Sequence, residues 1–142
     1  MNQLEEGNNL NLDFQKLSKK LVSDVIPVVI QDNKTKNVLM LGYMNQLALN
    51  KTIKTNIIYF WSTSKNKLWK KGEESGNILK LIEIFINCEQ NSLLCKVEIQ
   101  GVGACHTQNN QGKYRKSCFY RKIYKENNDL KLGPPDAELT PF

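Results

Sequence analysis

Short apolar runs separated by polar turn residues dominate residues 26–100, and this pattern limits the possible folds more than any other feature. Two such runs, Ile26–Gln31 and Val38–Tyr43, flank a polar cluster and predict a β-hairpin. In Ser92–Gln100, apolar and polar residues alternate with the two-residue period of a half-buried strand. The apolar stretch Asn77–Asn87 precedes it and is expected to pair with it across a turn. The pattern predicts a mainly antiparallel sheet.

Two short helices are expected to flank this sheet. Residues Asp13–Val22 place their apolar side chains on one side at helical spacing. Asn45 can cap a second helix that runs to about Lys54. Its inward-facing residues are expected to be Leu47, Ala48 and Ile53. With a further strand over Ile57–Ser62, the prediction is a single compact α+β domain.

The length and composition set the organisation of the chain. With 142 residues, of which 40% are apolar, the chain can bury one core. We expect an N-terminal arm over residues 1–12, one domain over 13–126 and an irregular tail over 127–142, where Gly133-Pro134-Pro135 and Pro141 resist regular structure. No apolar run approaches the ~20 residues that span a bilayer, and the N-terminus lacks the basic start of a secretory signal. The expected location is cytoplasmic.

The formal net charge of +6 leaves three interpretations open. Most of the excess is dispersed, but Lys65–Lys71 and Lys113–Lys122 are dense and contain aromatic residues. Such segments can bind a phosphate-bearing small molecule or a polynucleotide, or can simply form a solvated basic surface.

The four cysteines differ in their surroundings. Cys95 lies on the alternating strand and is predicted to be a core thiol. Cys88, Cys105 and Cys118 lie at turns or element ends, where a side chain can face a site. No Cys-x-x-Cys pair is present, so the spacing leaves both free structural thiols and metal ligands open.

Several motifs in a fixed order resemble the phosphoribosyl-AMP cyclohydrolases of histidine biosynthesis. They are VLMLGYMN (38–45), FWSTSKNKLWKKGEESGN (60–77), NCEQNSLL (87–94), GACHT (103–107) and SCFYR (117–121). The resemblance covers roughly residues 21–122. It implies an enzyme that opens the adenine ring of phosphoribosyl-AMP by hydrolysis between N1 and C6.

The resemblance also implies an intertwined homodimer with a zinc ion held by three cysteines from two subunits. On matching positions these are Cys88, Cys105 and Cys118. Zinc with an open coordination position lowers the pKa of a water molecule towards ~7. His106, the only histidine, adjoins Cys105 and is the candidate for proton transfer.

The substrate carries two phosphate-bearing ends and therefore needs cations and backbone donors away from the zinc. A purine ring can also stack on an aromatic side chain, for which Trp69 is the candidate, although a sheet-packing role suits it equally. The phosphate-binding candidates are Lys70, Lys71, Ser75, Gly76 and Arg121.

Two departures from the family pattern concern metal binding and loop length. The family commonly has three carboxylates assigned to magnesium where this chain has Asn87, Glu89 and Asn91, so a strong magnesium site is in doubt. Thirteen positions separate Cys105 from Cys118, more than is usual, and the longer loop could cover the site as a lid. The residues after Ile123 leave no room for a second enzyme domain, so one reaction step is expected.

Two alternative functions remain at this stage. The chain could be a non-catalytic nucleotide- or RNA-binding homologue, although retention of three thiols and the histidine makes a nucleic-acid partner the less favoured choice. It could also be a hydrolase of a different modified purine nucleotide.

Overall fold

The computed structural model of the chain describes residues 3–10, 12 and 24–136, which form an α+β fold. The helix expected over Asp13–Val22 lies outside these residues. The described elements are helices α1 (Gln3–Glu6) and α2 (Gln46–Thr55) and strands β1 (Ile26–Asp32), β2 (Val38–Met44), β3 (Tyr59–Ser62), β4 (Lys67–Lys70), β5 (Leu79–Ile86), β6 (Leu93–Ile99), β7 (Ile123–Glu126) and β8 (Asp129–Leu132). Within these ranges, neither helix has the length and apolar character required to cross a lipid bilayer.

The main sheet has four strands in the order β2-β1-β6-β5. The predicted hairpins β1–β2 and β5–β6 are confirmed as antiparallel pairs. They join through a parallel pairing of β1 with β6, which aligns Val28 with Leu93 and Asp32 with Val97. The mainly antiparallel sheet is therefore confirmed, with one parallel pair at its centre.

The core forms where alternate residues of the two central strands point to the same side. Val28 and Ile30 of β1 and Cys95 and Val97 of β6 are completely buried. Cys95 is thus confirmed as a core thiol, and burial raises its pKa to about 12 because a thiolate would lose its hydration.

Helix α2 begins as expected but turns a different face to the sheet. The Ala48 N–H donates to the Asn45 side-chain oxygen at 2.9 Å, which confirms the N-cap. The inward direction predicted for Leu47 and Ile53 is wrong, since they are 54% and 51% exposed. The inward direction predicted for Ala48 is confirmed, and Thr52 is the other buried residue of this helix.

Thr52 explains this orientation. Its hydroxyl donates to the Ala48 carbonyl at 2.9 Å and accepts from the Tyr59 N–H of β3 at 3.0 Å. One small polar side chain thereby ties the helix to the strand, and a bulky apolar side chain at this position would hold the two elements apart.

Strands β4, β7 and β8 were not predicted. β4 lies in the basic segment and pairs with β3 from Tyr59–Lys70 to Ser62–Lys67. β8 pairs with β7, so the expectation of an irregular tail is wrong for residues 129–132. The residues that resist strand formation, Gly133 to Pro135, come directly after β8, and their influence does not extend back into it.

Candidate active site

The segment 101–118 folds back on itself and brings two cysteines together. The Ala104 N–H donates to the Lys116 carbonyl at 2.9 Å, and the Cys105 N–H donates to the Arg115 carbonyl at 3.1 Å. The Cys118 N–H then donates to the Leu39 carbonyl of β2 at 2.7 Å, which fixes the end of the segment to the main sheet. The two thiols therefore meet beside this sheet.

The glycines and amide side chains of residues 101–117 predict an exposed connection, and this backbone pairing shows that the prediction holds only in part. The tip, around residues 108–113, is mostly exposed, whereas the paired ends are mixed. Gly103, Ala104, Cys105, Thr107, Arg115 and Ser117 are buried, and His106, Lys116 and Cys118 are exposed. Gly103 lies where the ends are closest, and a Cβ atom there would come within 2.4 Å of the Arg115 carbonyl oxygen. The position has no room for a side chain.

The two thiols form a hydrogen-bonded pair. Cys105 is 2% exposed, and its sulfur interacts with the Cys118 side chain and lies 2.9 Å from the Thr107 hydroxyl oxygen. The hydrogen bond from Cys118 lowers the pKa of Cys105 to about 5, and contacts with Thr107 act in the same direction. The same bond raises the pKa of Cys118. The pair therefore releases its first proton readily and its second with difficulty.

A buried lysine faces this pair. Lys71 is 3% exposed, with its ammonium nitrogen 5.6 Å from the centre of the Trp69 ring. Burial lowers the pKa of Lys71, while its attraction to ionised Cys118 and Cys105 raises it. The structure thus brings this predicted phosphate ligand to the thiols and supplies a positive charge beside them. Trp69 is partly exposed and packs against Phe60, with ring centres 5.6 Å apart.

The other predicted residues of the glycine-containing loop form a compact turn after β4. The Gly76 N–H donates to the Gly72 carbonyl at 2.9 Å, and both glycines have positive φ angles that favour this residue type. The Asn77 N–H donates to the Ser75 hydroxyl at 3.1 Å. Asn77 in turn accepts a hydrogen bond from the Val102 N–H, which places the turn next to the thiol-bearing segment. Lys70 precedes this turn as the last residue of β4 and is partly exposed.

The third predicted zinc ligand lies apart from the other two. Cys88 is exposed in the turn between β5 and β6. Among residues 3–10, 12 and 24–136, no three His, Cys, Asp or Glu side chains gather into a group able to hold a metal ion. One chain therefore offers two adjacent thiolate donors. A zinc site with three cysteine ligands would need its third cysteine from a second chain.

The predicted magnesium positions hold the same turn together. The Asn87 side-chain oxygen accepts from the backbone N–H groups of Asn91 and Ser92, each at 2.9 Å. The Asn91 side-chain oxygen accepts from the Asn87 amide at 2.6 Å, and its amide donates to Glu89 at 3.3 Å. Since magnesium requires six oxygen ligands and relies on carboxylates, this set with one carboxylate and engaged amides does not fit the ion.

The remaining predicted residues meet the N-terminal arm. The His106 side chain is largely exposed, and its Nε2 lies 3.4 Å from a Glu5 carboxylate oxygen. Arg121 donates to the Glu5 carbonyl at 3.3 Å, and the Tyr120 hydroxyl donates to the same oxygen at 3.0 Å.

Thr107 and Arg115 were missed from the sequence. Thr107 contacts the Cys105 sulfur, and buried Arg115 forms a bidentate ion pair with Asp136 at 2.8 Å. The Cys-His-Thr motif offered a signal for Thr107, because a hydroxyl two residues after a cysteine can reach its sulfur. No local pattern distinguished Arg115 from the other residues of its basic segment.

Comparison with known proteins gives a consistent family assignment. Residues 40–120, more than half of the chain, match the family model described as phosphoribosyl-AMP cyclohydrolase. The phosphoribosyl-AMP cyclohydrolase of Methanothrix thermoacetophila is 50% identical over 99 residues, covering 70% of this chain and 76% of that protein. That of Methanosarcina barkeri is 45% identical over 125 residues, covering 88% and 90%.

A relative named as bifunctional is matched over a similar part of this chain but over a smaller share of its own length. A protein of Wolinella succinogenes, named a histidine biosynthesis bifunctional protein, is 46% identical over 99 residues, covering 70% of this chain and 40% of that protein. The family match and these identities agree with the order of motifs in the sequence. The chain belongs to the phosphoribosyl-AMP cyclohydrolase family.

Proposed function

We propose that this chain opens the adenine ring of phosphoribosyl-AMP in histidine biosynthesis. Hydrolysis breaks the bond between N1 and C6 and places the oxygen of water on C6 as the carbonyl of a carboxamide. One proton of water goes to N1 and the other to the exocyclic nitrogen on C6. The observation that carries the proposal is the Cys105–Cys118 pair, held beside buried Lys71 in a chain of this family. The reaction is expected in the cytoplasm.

The proposed cofactor is zinc, with Cys105 and Cys118 as two ligands and Cys88 of a second copy as the third. The donor chemistry supports this, because the thiol pair gives up its first proton readily and thiolates are the ligands that zinc prefers. Bound zinc would supply an acidified water molecule at neutral pH. The reaction needs no magnesium from the β5–β6 turn in this proposal.

The other proposed roles belong to residues around the thiols. His106 is the proposed residue for moving a proton between water and the ring nitrogen, which its accessible imidazole and its position next to Cys105 in the sequence support. The partly exposed ring of Trp69 can stack on the purine. Lys71 balances the negative charge of the ligand thiolates, while Lys70, Ser75 and Gly76 remain the proposed contacts to one phosphate group.

A homodimer is part of this proposal. Ile82, Phe85 and Ile86 of β5 are large apolar residues that are 40–56% exposed, and they lead directly to Cys88. Exposed apolar residues on a strand are covered favourably by a second copy. Such a dimer would bring Cys88 of one subunit to the thiol pair of the other.

The test combines metal content with ring opening, followed by ultraviolet absorbance. Cys105→Ala and Cys118→Ala should each lose zinc and turnover, whereas Cys95→Ala should keep near-normal zinc because its thiol lies in the core. Zinc-loaded wild-type protein that leaves phosphoribosyl-AMP unchanged would contradict the proposed activity and favour a different purine nucleotide.

Mixed dimers test the sharing of ligands between subunits. Cys88→Ala and Cys105→Ala are each expected to be inactive alone, because every site in either homodimer lacks one ligand. Subunits of the two variants, unfolded and refolded together, should regain activity, since a hybrid dimer contains one site with all three cysteines. A Cys88→Ala protein with full zinc content would contradict the assignment.

A further inference from the structure

Two arginines that flank Cys118 in the sequence, Arg115 and Arg121, are held rigidly by the segment that follows β8. Arg115 donates from Nε and Nη2 to the Asp136 carboxylate, with distances of 2.8–3.0 Å. Arg121 donates from Nε and Nη2 to the Gly133 carbonyl at 3.0 and 2.7 Å. Each guanidinium group is therefore fixed along one edge, and its orientation is set before any ligand binds.

The N-terminal arm covers the remaining edges of these groups loosely. Arg115 is 6% exposed, and its Nη1 is buried and has no hydrogen-bond partner in the described part of the chain. The carboxylate oxygen of Glu6 is 3.7 Å from this nitrogen, beyond hydrogen-bonding distance. Arg121 Nη1 reaches the Glu5 carbonyl at 3.3 Å, and the Tyr120 hydroxyl donates to the same carbonyl at 3.0 Å.

The arm is thus an imperfect anionic partner for a cationic surface. A buried guanidinium nitrogen without a hydrogen bond is costly, and a better-placed anionic oxygen would remove that cost. A phosphate ester carries two negative charges and three terminal oxygens, so it can accept from two guanidinium groups at once. The Glu6 carboxylate is the one nearest Arg115, whereas Glu5 meets Arg121 through its backbone carbonyl and directs its carboxylate to His106.

This surface belongs to the same segment as the thiols. The backbone of Arg115 pairs with Cys105 and with Thr107, so the guanidinium group and the thiol pair share one scaffold. His106 projects next to it, 3.4 Å from Glu5. A nucleotide bound with its base at the thiols could place a phosphate group on this surface.

We propose that Arg115 and Arg121 form an anion subsite for a phosphate ester of the nucleotide substrate, and that Glu5 and Glu6 of the N-terminal arm occupy it in the free chain. The identity of the ligand rests on the proposed function. The arm then acts as an internal competitor that the substrate displaces on binding.

The test uses the full chain and ribose 5-phosphate as the probe, with binding measured by isothermal titration calorimetry. Glu5→Gln with Glu6→Gln should lower the Kd by about three- to tenfold, because partly exposed charge pairs of this kind contribute modestly. The matched control is Asp24→Asn with Glu98→Gln, which removes two exposed carboxylates, one before β1 and one on β6, and should leave the Kd at the wild-type value. Equal changes in both double variants would indicate a general effect of net charge and would overturn the proposal.

A third variant tests the arginines without disturbing the buried ion pair of Arg115. Arg121→Lys, added to the Glu5→Gln and Glu6→Gln variant, keeps the charge but loses the planar fork and should cancel the gain in affinity. Persistence of the full gain would show that Arg121 does not bind the probe and would overturn the subsite.

Kinetics separate this inference from the proposed activity. If both hold, the Glu5→Gln and Glu6→Gln variant should show a lower KM for phosphoribosyl-AMP. Tighter binding of ribose 5-phosphate by a protein that does not turn over phosphoribosyl-AMP would support the subsite and contradict the proposed activity. Turnover without any change in probe affinity or KM would contradict the subsite alone.

Discussion

At the scale of single residues, the asparagines of the β5–β6 turn replace metal ligation with hydrogen bonding. The Asn87 side-chain oxygen accepts hydrogen bonds from two backbone N–H groups, and its amide nitrogen donates to the Asn91 side chain. These bonds close the turn without a cation. Carboxylates at both positions could still accept the backbone hydrogen bonds, but together with Glu89 they would repel one another. Such a turn would need a cation to neutralise it.

This difference predicts a gain of magnesium binding. Asn87→Asp with Asn91→Asp should make the unfolding temperature rise with added magnesium, with a stabilisation of about 2.7 kcal/mol at a hundredfold excess over Kd. Wild-type protein should show no such rise in a thermal scan. Asn50→Asp with Asn128→Asp adds the same charge at exposed positions and should resemble the wild type. A magnesium response in the wild type would contradict the interpretation of the turn.

At the scale of elements, the folded segment 101–118 depends on the absence of a side chain at Gly103. Gly103→Ala would place a Cβ against the backbone on which Cys105 and Cys118 depend for their approach. We expect a loss of about 1–3 kcal/mol in the free energy of unfolding, together with a reduced zinc content. Urea denaturation and metal analysis measure the two effects. Lys113→Ala, at the exposed tip of the same segment, should change neither, and a Gly103→Ala protein with normal zinc would contradict the prediction.

Prediction from sequence succeeded where the signal was local. Alternating apolar residues identified β6, and the polar cluster between two apolar runs identified the β1–β2 hairpin, because side-chain periodicity reflects burial on one face. β4 carries a lysine at each end and only four residues, so its pairing with β3 left no periodic pattern. The parallel pairing of β1 with β6 joins distant parts of the chain, and no local pattern encodes it.

The residues of the candidate site were likewise predicted where they belong to a local motif and missed where their role depends on the fold. The motifs that resemble the family predicted Cys105, Cys118 and their neighbours. The sequence did not reveal Arg115, because its role arises from the folding back of segment 101–118 and from Asp136 beyond β8. Lys71 was predicted as a phosphate ligand because lysine in a glycine-containing loop commonly has that role, and its burial beside the thiols depends on how that loop packs.

At the scale of the whole molecule, the Arg115–Asp136 ion pair joins the site to the segment after β8. Asp136→Ala should lower the free energy of unfolding by roughly 3–5 kcal/mol, because it leaves a buried guanidinium charge without its partner. Urea denaturation gives the value. Asp129→Ala removes an exposed carboxylate from the β7–β8 turn and should change it little. Equal stability of the two variants would show that the residues after β8 do not support the site.

The parallel pair at the centre of the sheet has a consequence for how the molecule folds. Val28 of β1 must pair with Leu93 of β6 before the four-stranded sheet is complete and the core is buried. Such non-local pairing slows folding. During synthesis, the β1–β2 hairpin and helix α2 leave the ribosome first, with an edge of β1 still lacking its neighbour. We therefore expect a partly folded intermediate in which the edge of β1 is unpaired. This edge can associate with other chains until β6 has been synthesised and pairs with it.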